Sequence, residues 1–80
     1  MEVITKVLQK DKLLLEIEDY VDPKKAALLV RERGIVGRLE IRHFIIDQNN
    51  ETIYSLYGLN EKNKITSAIF PHSRPIAEDL

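Results

Sequence analysis

An α+β fold with element order ββαβββ, an antiparallel sheet or small open barrel packed by one helix, follows from three features of this chain. Asp22-Pro23 and Gly34 bracket one helix-like segment. Before it lie two apolar-alternating stretches joined by Lys10-Asp11, and after it lie three more separated by polar loops. Alternation with period two, bounded by turn residues, marks half-buried antiparallel strands.

Val3 to Ile17 reads as a hairpin turning at Lys10-Asp11. Simple pairing from that turn sets Leu8 against Leu13, Lys6 against Leu15 and Ile4 against Ile17 on one side. Thr5 meets Glu16 and Val3 meets Glu18 on the other, so one side is apolar and the other mostly wettable. Asp22 suits an N-cap because its carboxylate accepts from the free amides of the first turn, and Pro23 suits the first helical position. The Ala- and Leu-rich run Lys24 to Arg33 follows, with Ala26, Leu29 and Val30 on one face, and Gly34 stops it. Arg38–Asp47 and Thr52–Leu59 form a second hairpin around Gln48–Glu51, and Lys64–Phe70 pairs back across Asn60–Asn63. Residues 1–70 form a single α+β domain, and residues 71–80, with two prolines and two acids, read as an irregular tail.

Eighty residues with no cysteine hold neither a disulfide nor a thiolate. A domain of this size buries only about 60% of its unfolded surface, so the core is thin and partner subunits are a natural source of extra stability. A formal net charge of -1 argues against a general charge-driven nucleic-acid binder. No apolar run approaches the roughly 18 residues that cross a bilayer, and the start of the chain lacks the pattern of a signal peptide, so no membrane partner and a cytoplasmic location are expected.

Turn-based pairing of the last three strands places Ile41, His43, Ile45, Tyr54, Leu56, Ile65 and Ile69 on one face. Arg42, Phe44, Ile46, Ile53, Tyr57, Ala68 and Phe70 take the other. Neither face is polar, so each needs a cover. The helix covers one. The N-terminal hairpin folding over, or a second molecule, covers the other. The patch Phe44, Ile46, Ile53, Tyr57 and Phe70 is therefore the expected partner interface, with Arg42 at its rim.

Four of the five arginines fall between positions 31 and 42. Arg31, Arg33, Arg38, Arg42, His43 and Tyr57 make an alternative anion site, since guanidinium groups fork onto phosphate and stack on rings, and Arg42 falls opposite Tyr57 in the same pairing. Glu16, Glu18, Asp19 and Asp22 form an acidic counterpart without calcium-loop spacing. His43 and His72 lie too far apart for a metal motif, and the neighbours His72-Ser73 are no triad, whose members meet across a fold. Gly34, Gly37 and Gly58 have no phosphate-loop spacing. No catalytic residue, cofactor or metal is expected.

The expected function is a small non-catalytic interaction or regulatory protein that occupies a partner's surface, itself a homodimer or higher oligomer. Small regulators and phage-type inhibitors share this size and this lack of motifs, an association with no residue behind it. The alternative is a module binding a nucleotide, a cyclic nucleotide signal or a nucleic-acid backbone through the Arg/His/Tyr set.

Overall fold

A computed structural model of the chain describes residues 2–48 and 50–71. Its elements are β1 (Glu2–Gln9), β2 (Lys12–Ile17), α1 (Pro23–Arg31), β3 (Leu39–Asp47), β4 (Asn50–Leu59) and β5 (Ile65–Ile69). The fold is α+β in the expected order, and the sheet is open. All five strands lie in one antiparallel sheet, ordered β2-β1-β3-β4-β5. The N-terminal hairpin does not fold over the second face. It extends the sheet sideways, because β1 pairs with β3 from Glu2↔Ile46 to Leu8↔Glu40.

The helix forms where its caps dictate. Asp22 accepts from the amides of Lys24 and Lys25, and Pro23 occupies the first turn. At the other end Gly34, with φ +85°, donates to the Arg31 carbonyl while Ile35 donates to Val30. A left-handed glycine closes the open carbonyls in this way, and few other residues take that φ without strain. The buried stripe is Pro23, Ala26, Ala27 and Val30, with Leu29 half-buried. Small alanines let α1 sit close on the sheet, against Val7, Leu39, Ile41 and Leu59.

Three single-residue bulges set the faces. The first hairpin turns at Lys10 and Asp11 as expected, both at positive φ, and Leu8 pairs with Leu13. Leu14 is then extra, so Lys6 meets Glu16 and Thr5 meets Ile17, correcting the simple pairing. In the second hairpin Phe44 pairs with Ile53 but His43 pairs with Ser55, leaving Tyr54 unmatched. Thr66 is extra in the third. A bulge moves every residue beyond it to the opposite face relative to its partner strand. Leu15 and Ile17 thereby join Val7 and Thr5 beneath the helix layer, and Glu16 comes beside Lys6 on the open face.

Candidate functional site

Register places three polar side chains in one row on the helix side of the sheet: Thr5 on β1, His43 on β3 and Ser55 on β4. All three are buried, and the β2–α1 connection is hydrogen-bonded to two of them. Thr5 Oγ1 donates to the Asp19 carbonyl at 2.7 Å and accepts from the Val21 amide at 2.9 Å. His43 Nε2 lies 2.7 Å from the Val21 carbonyl, and its Nδ1 lies 2.8 Å from Ser55 Oγ. A carbonyl only accepts, so Nε2 carries the proton and Ser55 donates to Nδ1. Burial pushes the imidazole below its usual value, against smaller upward pulls from the Val21 bond and the Asp22 carboxylate. The row is satisfied within the fold, and its effect is to pin Asp19–Val21 onto the sheet.

That pinned segment carries Tyr20, whose ring stacks on His43 at 4.4 Å between centroids. Tyr57 meets His43 edge-on at 5.9 Å and Phe70 edge-on at 5.6 Å. Tyr20, Tyr54, Ser55, Tyr57 and Phe70 line a concavity of about 270 Å³. Burial raises the hydroxyl pKa of both Tyr20 and Tyr57, with Asp22 adding to it. On the far side of Tyr20 a second concavity of about 490 Å³ is bounded by Glu2, Glu18 and Asp19 over Val3, Ile4 and Ile46. At the opposite end of the sheet a trough of about 690 Å³ has walls of mixed charge, from Lys10, Arg38, Glu40 and Glu61. Among the described residues no group of three His, Cys, Asp or Glu is placed to hold a metal ion.

The predicted interface patch is divided between two faces. Phe44, Ile46 and Ile53 stay together on the open face, while Tyr57 and Phe70 lie on the helix side with Ile41 and His43. The bulge at Tyr54 causes the split, because it reverses β4 beyond that point. Phe44 is 8% exposed, covered by the Lys6 ammonium 4.6 Å from its ring centroid. Lys6 is held there by Glu51 and Glu16, and Arg42 spans the same face bound to Glu40, with Asp11 at 4.0 Å. Much of the greasy open face is thus roofed by the chain's own cations.

The anion set is likewise dispersed. Arg42 lies opposite Leu56 on the open face, and Tyr57 opposite Ile41 on the other, for the same reason of register. Arg31 is committed to the fold, donating to Asn63 Oδ1 and to the carbonyls of Ile35 and Asn60. Arg33 and Arg38 are exposed on the helix-to-β3 side, and His43 is buried. His72 and the tail lie outside the described residues.

Apolar exposure gathers instead at the β5 end of the sheet. Every residue of β5 is exposed, Ile69 is 57% exposed and Phe70 51%. The two sheet edges differ in chemistry. Both edge strands carry a bulge, at Leu14 in β2 and at Thr66 in β5, but β2 also carries Lys12 and Glu16, whereas Ile65-Thr66-Ser67-Ala68-Ile69 has no charge and no proline. Sequence reasoning placed β5 but missed its edge position, which depends on β1 pairing with β3. The aromatic pocket was missed because the Tyr54 bulge that assembles it has no glycine or other marker.

No protein-family model, curated protein or solved structure matches the chain. No helix among the described residues is long and apolar enough to cross a membrane.

Proposed function

We propose that this chain is a small non-catalytic interaction domain that pairs with a second copy of itself through β5 and acts by occupying the surface of a partner protein. One observation carries the reading: β5 is an uncharged edge strand with every residue exposed, while the other edge carries charges. An edge without charge or proline offers a row of free amides and carbonyls to another strand, and natural sheets that remain single commonly place charges or proline there; β5 has only the bulge at Thr66. Antiparallel pairing about a two-fold axis through the middle of β5 joins two five-stranded sheets into one. It also removes exposed apolar surface from a domain too small to bury it alone. The cytoplasm is the proposed location, since a chain without cysteine draws nothing from an oxidising compartment.

Light scattering coupled to size exclusion tests the pairing. The wild-type chain is expected at twice the monomer mass. Ile69→Lys, which sets a charge on the bare edge, is expected to give the monomer with an unchanged circular dichroism spectrum. Leu28→Lys, on the exposed side of α1, is expected to leave the mass unchanged. A wild-type monomer at every concentration up to the solubility limit refutes the reading.

A further inference from the structure

We propose that the aromatic pocket and the acidic groove on either side of Tyr20 form one docking site for a basic peptide segment, with one cationic side chain in the pocket and a second against the acids of the groove. This goes beyond the β5 pairing and does not require it.

The pocket walls are Tyr20, Tyr54, Tyr57 and Phe70, four π faces or edges around about 270 Å³, with no cation among the described residues that line it. A space of this kind suits an ammonium or guanidinium group, because ring quadrupoles attract cations most where water is displaced. The adjoining groove supplies three carboxylates, Glu2, Glu18 and Asp19, again with no cation among the described residues of its lining. Tyr20 belongs to both concavities, so a peptide crossing it engages the two in succession. Charge complementarity therefore chooses the occupant. A neutral apolar ligand leaves the acids without a role, and an acidic one meets them as like charge. Lys24 and Lys25 lie exposed on the first turn of α1 and line neither concavity.

The site is also built rather than casual. Tyr20 is 47% exposed, yet its backbone is fixed on both sides: Thr5 holds Asp19 and Val21, and His43 holds Val21 and stacks beneath the ring. A ring held in place before binding loses little entropy when a ligand arrives.

The chain's own chromophores provide the test. It has three tyrosines and no tryptophan, and all three tyrosines line this pocket, so intrinsic fluorescence reports on the site alone. The full chain is titrated with acetylated, amidated tetralysine, with tetraglutamate and a Phe-Gly-Phe-Gly peptide as controls. Tetralysine is expected to give a saturable change that weakens with salt, and neither control is expected to do so. Phe70→Ala, at a half-exposed position, is expected to weaken tetralysine binding about tenfold. Glu18→Gln is expected to weaken it several-fold and to reduce the salt dependence. Light scattering on the same samples reads dimer formation separately. No saturable response to tetralysine, equal binding of either control, or wild-type affinity in both folded variants overturns the proposal.

Discussion

Ser55 Oγ sits 2.8 Å from Nδ1 of His43, across the β3–β4 pairing, and so fixes a neutral imidazole inside the sheet. Folding strips water from this ring, which lowers its pKa from the usual 6.5. In the unfolded chain the ring titrates near its usual value. Between the two values the unfolded chain holds a proton that the folded chain lacks, so stability rises with pH across that window. The contribution is complete above the unfolded value and is lost as pH falls toward the folded one. Urea midpoints are expected to be level from about pH 8 to 7 and to decline below about 6.5. His43→Gln can keep a donor for Val21 and an acceptor for Ser55 without titrating, and is expected to flatten that decline. His43→Ala orphans both partners and opens a cavity, at a cost of about 3 kcal/mol. A wild-type midpoint that stays level down to about pH 5.5 would falsify this role for His43.

Arg31 joins the end of α1 to the β4–β5 turn through two bonds, to Asn63 Oδ1 and the Asn60 carbonyl, and a third holds the Ile35 carbonyl just past the helix. Asn60 in turn accepts from the amides of Lys62 and Lys64, so one guanidinium organises the loop that launches β5. Arg31→Ala is expected to cost about 2 kcal/mol in chemical denaturation. Arg31→Lys is expected to recover less than half of that, because a single ammonium cannot span the fork. Amide exchange of residues 60–64 is expected to accelerate in both variants. Full recovery by lysine would show that charge alone holds the turn.

These two contacts also mark the limit of what the sequence made legible. The helix was readable because its signals are local: Asp22, Pro23 and Gly34 each act on the nearest turn. The first hairpin turn was readable for the same reason. The faces were not, since Leu14 and Tyr54 are ordinary strand residues with no local mark of a bulge. Each inserts one position and reverses the strand beyond it. Arg42 and Tyr57 consequently part company, and Tyr57 joins His43 instead. The adjacency of β1 and β3 rests on contacts distant in sequence, so the bare β5 edge emerged only with the assembled sheet.

Lys6 decides how much of the open face remains greasy. Its ammonium lies over the Phe44 ring and is held by Glu51 at 2.7 Å, while register sets Ile4 and Ile53 on either side of that ring. The long methylene stem covers apolar surface as the charged end reaches its carboxylates. Lys6→Ala removes stem and charge together, and is expected to cost about 1 kcal/mol and to make the chain bind a hydrophobic dye. Lys6→Met keeps a stem of similar length without the charge. It is expected to lose a similar amount of cation–π and ion-pair energy, yet to leave dye binding near the wild-type level, because the ring stays covered. The comparison separates packing from electrostatics. If both variants bound the dye equally, the stem would not be the cover, and Phe44 would owe its burial to its apolar neighbours alone.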